Sequence, residues 1–457
     1  MIKEMHISGF RGFGDPQVVP FAIPNGENFG SGLTIITGAN NSGKTTIIES
    51  IRAFNGRESP SFSEGRRNKQ AKGIVELKLV SDTEDESSIK SVPGGGSSTE
   101  KTGSLANKIY VLQSRRAVPF EFGKTQWDRE QFIMYSQNLS NQRDSSLSSF
   151  EARIFEIEKN KPAFDAVIQQ ILGEDFQWSV DQRDSGQYYL KYTKDDVTHS
   201  SEGVGDGIWS IFTICAALFD APENSTVVID EPELSIHPAL QKKLMKLFGE
   251  YSKTRQIVIS THSPYFIDWS AIINGAMLIR AVKDGTNTKC FHMTGESRRL
   301  FAGILNDLNN PHTLGIEANE VFFLNDKIIL VEGQEDVVIF NKIANTLGIS
   351  LQEYFFGWGV GGAPKMKAFL QLFRDMGYKK VVAILDGDKK DVADELDKDY
   401  AEIGYVFFTL PTDDIRDKKE RTTASKYGIA SEKGVLKEEY KSAIEELFYK
   451  ISDFFHS

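Results

Sequence analysis

Short apolar runs alternate with longer segments of helical spacing through most of the chain. In the N-terminal part, Leu33 to Thr37, Thr226 to Ile229 and Gln256 to Ser260 are each followed by turn residues and an amphipathic helical pattern. Lys108 to Leu112 and Tyr188 to Tyr192 are further strand-like runs. Because strands that alternate with helices form largely parallel, helix-covered sheets, we predict an α/β fold.

A second series of the same kind begins after Phe301. Strands are predicted at Lys327 to Val331, Lys380 to Leu385 and Gly404 to Leu410, and an amphipathic helix over Val337 to Leu347 follows the first of them. The two series share no motif, so the pattern indicates a second α/β domain and not an internal repeat.

The length of 457 residues exceeds the size at which single cores stop growing. We predict a first domain over 1–320, a second over 321–425 and a C-terminal helical tail over 426–457. The tail contains Leu436 to Phe455, which has the spacing of an amphipathic helix.

Two segments interrupt the alternating pattern. Ser81 to Gly103 is rich in Ser, Gly, Asp and Glu, and this composition predicts a mobile loop. Residues 126–177 are polar and aromatic, with helical spacing from Ser149 to Leu172, which predicts a helical arm inserted into the first domain. No heptad pattern long enough for an extended coiled coil is present.

Net charge and cysteine usage narrow the functional classes. The formal net charge of -11 argues against a generally basic coat but leaves a local basic groove open. Cys215 and Cys290 lack the spacing of a disulfide framework or a metal site, so we expect core residues of a protein in a reducing cytoplasm. The longest apolar run, Ile208 to Phe219, is too short to cross a bilayer, and the first residues contain no signal-peptide pattern.

The most informative motif reads Gly-Ala-Asn-Asn-Ser-Gly-Lys-Thr and lies between a predicted strand and a helix beginning at Thr46. A glycine-bracketed turn in this position directs backbone N–H groups and a helix N-terminus at phosphate, as in a P-loop. Lys44 is predicted to reach the β and γ phosphates, and Thr45 to ligate Mg²⁺. The predicted nucleotide-binding residues are Gly38, Asn40, Asn41, Ser42, Gly43, Lys44, Thr45 and Thr46.

Hydrolysis of a bound nucleotide needs a metal organiser and a polarised water. The apolar run from Ser225 ends in Asp230 and Glu231. We predict that Asp230 holds Mg²⁺ through water and that Glu231 is the general base. The alternative is a pair of exposed acids at the start of a helix.

The sequence Asp-Glu-Pro-Glu-Leu-Ser-Ile-His-Pro from Asp230 resembles the Walker B motif and D-loop of ABC-type ATPases of the SMC and RecF group. In that group a later strand ends in a switch histidine that senses the γ phosphate. Thr261-His262-Ser263-Pro264 follows a predicted strand, so the resemblance implies this role for His262. Gln113 follows another strand as a Q-loop glutamine does, with Arg115 nearby.

The segment Ser200 to Gly207 resembles a degenerate ABC signature motif. The resemblance implies that Ser201 and Gly203 approach the γ phosphate of a nucleotide held by a partner subunit, while the alternative is a plain helix cap. Since such a composite site is complete only when two ATPase heads face each other, a homodimer or higher homo-oligomer is implied.

Acidic residues follow two predicted strands of the second domain. Glu332 comes after the first strand, and Asp386 and Asp388 come after a later one. Acids at the carboxyl ends of parallel strands face one crevice, where divalent cations are needed to offset their repulsion. Oxygen-only ligands suit Mg²⁺ or Mn²⁺. Asp336 is one helical turn beyond Glu332 and is predicted as a further ligand, ahead of Glu335.

This arrangement of acids resembles the TOPRIM domain of topoisomerases, primases and certain nucleases. Two cations about 3.5 to 4 Å apart can activate water and stabilise the leaving oxygen of a phosphodiester. We expect Asp414, Asp417 and Lys419 to supply further acids and a transition-state lysine, although the same run is also typical of a solvated helix start. The glycine-rich turn from Gly357 to Gly362 is either structural or a place where backbone approaches the substrate.

An ABC-type ATPase followed in one chain by a TOPRIM domain resembles the OLD (overcoming lysogenisation defect) family, which includes nucleases of Gabija and retron-linked anti-phage systems. The resemblance implies an ATP-regulated, Mg²⁺- or Mn²⁺-dependent DNA endonuclease in the cytoplasm, acting with accessory partners and without a membrane. One alternative is a RecF-like repair ATPase whose second domain binds DNA without cutting it. A topoisomerase or primase is a third, but no nucleophile-bearing domain or zinc module is evident.

Overall fold

The chain divides into two compact units, Met1–Cys290 and Phe291–Ser457. The predicted boundary between residues 320 and 321 therefore falls inside the second unit. The computed structural model describes residues 1–55, 60–71, 74–92, 98–114, 123–136, 150–194, 197–200, 205–305, 315–323, 326–349, 351, 354–418 and 425–457. None of the helices in these ranges has the length and apolar character needed to cross a bilayer.

The part of the chain up to residue 292 contains a mostly parallel sheet with helices and two antiparallel sheets. The strands are β1 (Ile2–Ser8), β2 (Gln17–Pro20), β3 (Leu33–Thr37), β4 (Glu76–Ser81), β5 (Glu86–Ser91), β6 (Thr99–Gly103), β7 (Ile109–Leu112), β8 (Gln177–Gln182), β9 (Tyr188–Lys194), β10 (Val197–Ser200), β11 (Thr226–Asp230), β12 (Gln256–Ser260), β13 (Met277–Asp284) and β14 (Asn287–His292). The helices are α1 (Lys44–Arg52), α2 (Arg129–Ser136), α3 (Glu151–Lys159), α4 (Lys161–Leu172), α5 (Asp206–Asp220), α6 (Pro238–Tyr251) and α7 (Trp269–Ile273).

The predicted α/β core is a six-stranded sheet in the order β14-β13-β3-β12-β11-β7. Strands β13, β3, β12, β11 and β7 run parallel. Every residue of β3, β11 and β12 is buried, as expected for strands covered on both faces. Because Ile259 is opposite both Ile35 and Ile229, the ends of these three strands lie at one edge of the sheet. The candidate nucleotide residues follow that edge.

The prediction of a mobile loop over Ser81 to Gly103 was wrong for its described residues. Strands β5 and β6 pair there and extend the antiparallel sheet β2-β1-β4-β5-β6. Small serines occupy the inward positions of β5, where Ser87 and Ser91 are buried beside Ile89. The period of two was hidden because serine does not register as an apolar residue.

The described helices of the predicted insertion are packed into the first unit. Helix α4 lies against α5, where the rings of Phe164 and Phe212 are 5.0 Å apart. The Arg153 guanidinium also forms a two-pronged ion pair with the Asp220 carboxylate at the end of α5. After α4, strands β8, β9 and β10 form an antiparallel sheet. The ring centroids of Trp178 on β8 and Phe212 on α5 are 5.1 Å apart.

The second unit is also an α/β structure. Its strands are β15 (Lys327–Val331), β16 (Lys380–Leu385), β17 (Val406–Thr409), β18 (Asp414–Arg416) and β19 (Gly428–Ala430). Its helices are α8 (Gly295–Leu305), α9 (Ile316–Asn319), α10 (Gln334–Leu347), α11 (Ala363–Asp375), α12 (Lys390–Tyr400) and α13 (Glu438–His456). Strands β15, β16 and β17 form a parallel sheet, and β18 pairs with β19.

Helix α13, which lies in the predicted C-terminal helical tail, packs into the core of the second unit. Its Phe448 packs edge-on against Phe340 of α10, with ring centroids 5.9 Å apart. Ile444 and Ile451 of the same helix are also buried in this core. The backbone pairing of β15 with β16 places Val331 opposite Ile384, so the carboxyl ends of the two strands lie side by side.

Candidate functional sites

The P-loop joins β3 to α1, which begins at Lys44, two residues before the predicted start. Gly38 and Gly43 have positive φ values of 139° and 107°, which favour glycine. A Cβ atom at Gly38 would lie 2.2 Å from the carbonyl oxygen of Ala281 on β13. The motif therefore needs glycine at Gly38 both for its backbone conformation and for its close contact with the sheet.

The side chain of Lys44 is almost completely buried in this loop. Its Nζ donates hydrogen bonds to the carbonyl oxygens of Gly38 at 2.9 Å and Ala39 at 3.0 Å. Burial lowers the pKa of Lys44 to about 8, against the opposing effect of Glu231, Asp230 and the other nearby acids. A nucleotide phosphate placed beside this ammonium group would favour its charged form.

The two acids after β11 have different environments. Asp230 is 2% exposed and accepts a hydrogen bond from the Ser260 hydroxyl at the end of β12. Glu231 is partly buried, with 22% of its side chain exposed, and has a φ of 49°, an unusual backbone conformation for a residue with a side chain. Its backbone N–H donates to the Ser260 carbonyl oxygen at 2.9 Å. The strand end therefore turns sharply at Glu231, as is common at functional sites.

His262 lies on the same side of the sheet edge as Glu231. Its Nε2 is 3.9 Å from Glu231 Oε1. Burial lowers the pKa of His262, and the nearby Lys44 ammonium lowers it further, so the imidazole is predominantly neutral at pH 7. A neutral imidazole can accept or donate a hydrogen bond, as the predicted switch role requires.

Glu233 is a structural part of this site that the sequence analysis did not assign. Its carboxylate accepts hydrogen bonds from the Thr261 hydroxyl at 2.8 Å and from the His262 backbone N–H at 2.6 Å. Burial raises the pKa of Glu233, while these hydrogen bonds oppose the rise. Glu233 thereby ties the loop after β11 to the loop that carries His262. The sequence signal that could have pointed to Glu233 is its position two residues after the predicted general base Glu231.

A cavity of about 470 Å³ lies beside the P-loop. Of the predicted residues, Asn40 to Thr46, Glu231 and His262 line it. It is also lined by residues that the sequence did not single out, namely Arg11, Gly12, Glu49, Arg66, Lys283, Thr286 and Thr288. The mixture of backbone N–H groups, cations and two acids, Glu49 and Glu231, suits a phosphorylated ligand with a coordinated cation.

Of the remaining residues predicted for the nucleotide site, the structure describes only Gln113. Gln113 directly follows β7, and the pairing of Leu112 with Ile229 puts it at the same sheet edge as Asp230. Ser201, Gly203 and Arg115 lie outside the described residues.

In the second unit, Glu332 joins the ends of β15 and β16. Its Oε1 accepts a hydrogen bond from the Asp386 backbone N–H at 2.9 Å, and its Oε2 accepts one from the Ala363 N–H at 3.2 Å. The backbone N–H groups of Gly361 and Gly362 donate to the Glu332 carbonyl oxygen at 2.9 and 2.8 Å. The glycine-rich turn thus has a structural role, because it holds the Glu332 backbone in place.

Three further carboxylates lie near Glu332 and are largely buried. Burial raises the pKa of Asp336 to about 7, and the neighbouring charges of Glu332 and Asp414 add to the rise. Burial raises the pKa of Asp386 to about 8, with Asp336, Glu332 and Asp414 again adding to it. Asp414, at the start of β18, is 3% exposed. The predicted acids Glu332, Asp336, Asp386 and Asp414 therefore interact electrostatically as one cluster.

Asp388 is at the edge of the cluster. Partial burial would raise its pKa, but hydrogen bonds from Lys426 and Lys389 outweigh this effect and keep the pKa below the usual value. The backbone between Asp386 and Asp388 is tightly packed, since a Cβ atom at Gly387 would lie 2.5 Å from the Thr412 carbonyl oxygen.

The other acids of this region have separate partners. Glu335 binds Arg416 at 2.6 Å and Lys418 at 3.2 Å. Asp417 pairs with Lys437 at 2.7 Å. Lys419 lies outside the described residues.

The donor set fits a hard divalent cation in its chemistry, because it consists of carboxylate oxygens, and burial together with the neighbouring negative charges raises the pKa values of Asp336 and Asp386. Within the described ranges, however, no group of three or more His, Cys, Asp or Glu side chains is close enough to hold a metal ion. Lys426 is 3.0 Å from Asp388 and 3.9 Å from Asp414. Cation binding there requires these side chains to rearrange.

Comparison with known proteins identifies a domain in each part of the chain. Residues 96–268 match the family described as "AAA domain, putative AbiEii toxin, Type IV TA system". Residues 323–388 match "Overcoming lysogenization defect protein-like, TOPRIM domain", a range that contains Glu332, Asp336, Asp386 and Asp388.

Two curated relatives are similar over part of the chain. The OLD nuclease of Thermus scotoductus is 28% identical over 230 residues, which are 47% of this chain and 42% of the relative. The chain thus spans less than half the length of that nuclease. Septu protein PtuA of Bacillus thuringiensis is 23% identical over 316 residues, covering 60% of this chain and 74% of the relative.

Among solved structures, an Smc head bound to the C-terminal winged-helix domain of ScpA covers 65% of this chain and 99% of its own, with 15% identity and a TM-score of 0.44. The SMC head domain of Thermotoga maritima gives 16% identity and a TM-score of 0.36, covering 64% of this chain and 99% of its own. The family matches, and not these distant likenesses, identify the two parts. The chain combines an AAA-type P-loop ATPase domain with an OLD-like TOPRIM domain.

Proposed function

We propose that this chain is an ATP-regulated, divalent-metal-dependent DNA endonuclease that acts in defence against phage. The observation that carries the proposal is the hydrogen bond from the Asp386 N–H to the Glu332 carboxylate, which brings the acids of two strand ends into one cluster. Similarity to an OLD nuclease supports the activity, and similarity to Septu protein PtuA supports the defence role.

The acidic cluster is the proposed site of phosphodiester cleavage. Glu332, Asp336, Asp386 and Asp414 would hold Mg²⁺ or Mn²⁺, joined by Asp388 after it leaves Lys426. The bound cation would supply an activated water and neutralise charge on the scissile phosphate. The Glu332 carboxylate is held by two backbone N–H groups, which orient it toward this role. Lys419 remains our candidate for stabilising the transition state.

The P-loop cavity is the proposed site of ATP binding and hydrolysis. Lys44 would bind phosphate, Thr45 and Asp230 would hold Mg²⁺, and Glu231 would remove a proton from the attacking water. His262, 3.9 Å from Glu231, would respond to the γ phosphate. We further propose that Gln113 contacts the metal or water, and that Ser201 and Gly203 complete the site of a second subunit in a homodimer.

Incubation of the protein with supercoiled plasmid tests the proposal. Nicked or linear DNA should form with Mg²⁺ or Mn²⁺ and not with chelator. Asp386→Ala should reduce the rate about 100-fold or more, because it removes a proposed ligand. Asp399→Ala is the matched control, since Asp399 is exposed and pairs with Lys367 at 2.8 Å in the same unit. Cutting by Asp386→Ala at the wild-type rate would place the activity elsewhere.

A second function is favoured by one observation. Lysines 418 and 426 pair with acids of the cluster, which is the arrangement expected of a DNA-binding ATPase whose TOPRIM domain does not cut. Such a protein would bind plasmid and hydrolyse ATP while the plasmid stays supercoiled with every divalent cation tried. The plasmid assay therefore separates the two functions.

A further inference from the structure

Two lysines of the second unit lie directly opposite each other. The backbone N–H of Lys418 donates to the Lys426 carbonyl oxygen at 3.0 Å, and the Lys426 N–H donates to the Lys418 carbonyl oxygen at 3.0 Å. Because residues paired in this way project their side chains to the same side, two ammonium groups are brought close together. Like charges in this position destabilise a pair of strands unless acids neutralise them.

The acids that neutralise them belong to the proposed cleavage site. Lys418 Nζ is 2.8 Å from Asp414 and 3.2 Å from Glu335. Lys426 Nζ is 3.0 Å from Asp388 and 3.9 Å from Asp414, and it also donates to the Asp413 carbonyl oxygen at 3.4 Å. Lys426 therefore bridges two carboxylates that the proposed function assigns to a divalent cation.

The two lysines differ in what holds them. Lys418 is fixed by Asp414 and by Glu335, which does not belong to the proposed ligand set. Both carboxylates that Lys426 contacts belong to that set, and its side chain is 37% exposed, so it can move toward solvent. Asp388 would retain Lys389, 3.2 Å away, after Lys426 leaves.

We propose that Lys426 is the resident counter-ion of Asp388 and Asp414, and that a divalent cation must displace it before these two carboxylates can act as ligands. This inference rests on the proposed function, because it assumes that the cluster binds a cation. An ammonium group and a metal ion a few ångströms apart repel each other, so both cannot occupy the space between the same carboxylates. Lys426 thus lowers cation affinity and keeps the acidic site neutralised until metal enters.

Calorimetric titration of the full chain with MnCl₂, without nucleotide, tests this displacement. Lys426→Met should bind Mn²⁺ about tenfold more tightly than wild type, because the competing charge is removed. Lys426→Arg keeps the charge and should bind with affinity close to wild type. Lys367→Met is the matched control, since Lys367 pairs with the exposed Asp399 at 2.8 Å, and its affinity should be unchanged. Glu332→Ala should remove the heat of binding that belongs to the cluster.

A second measurement uses the wild-type protein and does not depend on a variant folding. Acetylation of lysines by a water-soluble acylating reagent, followed by mass spectrometry, should modify Lys426 several-fold faster when MnCl₂ is present, because the ammonium group leaves its carboxylate partners. Lys367 should react at the same rate with and without MnCl₂. Equal or slower modification of Lys426 with MnCl₂ would overturn the inference.

The titrations also distinguish the inference from the proposed function. If wild type binds Mn²⁺ through Glu332 but Lys426→Met binds equally or more weakly, the counter-ion role is wrong and the nuclease proposal stands. If neither protein has Glu332-dependent Mn²⁺ binding, the metal site itself is wrong and both proposals fail.

Discussion

The two candidate sites of this chain are built in different ways. The nucleotide cavity of the first unit has at its centre a run of consecutive residues, Asn40 to Thr46, whose backbone groups and buried Lys44 are fixed by the turn between β3 and α1. The acidic cluster of the second unit is formed by carboxylates from separate strand ends, and lysines from a later segment balance their charge. The first site depends on local backbone conformation, and the second depends on the topology of the sheet and on side-chain charge.

This difference predicts different responses to mutation. Substitutions in the nucleotide site should change a specific step with ATP, because the loop is held by glycines and strand packing. Substitutions in the acidic cluster should change cation affinity and pH-dependent stability together, since burial and the charges of neighbouring acids raise the pKa values of Asp336 and Asp386.

The largest expected effect is at Glu231. Glu231→Gln should slow ATP hydrolysis about 100-fold or more, because it removes the proposed general base. ATP binding should persist, and a nucleotide-bound dimer should accumulate in size-exclusion chromatography. Glu250→Gln, an exposed acid paired with Lys253, is the control and should hydrolyse ATP normally. Unchanged hydrolysis in Glu231→Gln would show that another group activates the water.

Removal of the Lys44 ammonium group should have a somewhat smaller effect than the loss of Glu231. Lys44→Ala should weaken ATP binding about 10- to 100-fold, the effect of losing one or two charge-assisted hydrogen bonds. Equilibrium binding of a fluorescent ATP analogue measures this change. Lys253→Ala removes a partly exposed lysine of the same unit, which pairs with Glu250, and should leave the affinity for the ATP analogue unchanged. Equal affinities for the two variants would argue against Lys44 as a phosphate ligand.

Sequence reasoning succeeded where the chemistry is local. The strands over Leu33–Thr37, Gln256–Ser260, Lys327–Val331 and Lys380–Leu385 have the predicted bounds, because buried parallel strands are continuous apolar runs. The P-loop was recognisable because its glycines, lysine and threonine are contiguous.

The sequence was less informative where long-range pairing decides the structure. Strand β5 was missed because serine fills two of its inward positions, and β6 was missed because its residues are all polar or glycine. Lys426 could not be assigned, since its contact with Asp388 depends on a backbone pairing with Lys418 that no local pattern indicates. Glu233 was overlooked because its role depends on the neighbouring strand end that carries His262.

Replacing Gly387 by alanine tests how tightly the backbone is packed beside the acidic cluster. Gly387→Ala should lower the free energy of unfolding by about 1 to 3 kcal/mol, because the new methyl group would press on the backbone at Thr412. Gly295→Ala is the control, since no atom lies within 4 Å of its Cβ position and its φ is not positive. Chemical denaturation of both variants measures the difference. Equal stabilities would show that the turn after β16 has room to adjust.

The smallest expected effect is a pH dependence of stability in chelator. The folded-state pKa values of Asp336 and Asp386, about 7 and about 8, lie above the value near 4 of an unfolded aspartate. Such groups stabilise the fold fully below about pH 4, and their contribution is lost progressively as the pH rises from about 4 to the folded-state pKa values of about 7 and about 8. The free energy of unfolding should therefore fall between about pH 4 and about pH 8, and fall less in Asp386→Asn. An equal decline in both proteins would argue against strong coupling within the cluster.

The most direct test of the account is to locate Mn²⁺ by anomalous diffraction in crystals of the full chain grown with MnCl₂ and a non-hydrolysable ATP analogue. A manganese peak is expected in contact with the carboxylates of Glu332 and Asp386, in addition to any peak at the nucleotide. The Lys426 ammonium group should have left Asp388. Manganese at the P-loop alone, with Lys426 still paired to Asp388, would contradict the assignment of the second unit as a metal-dependent nuclease.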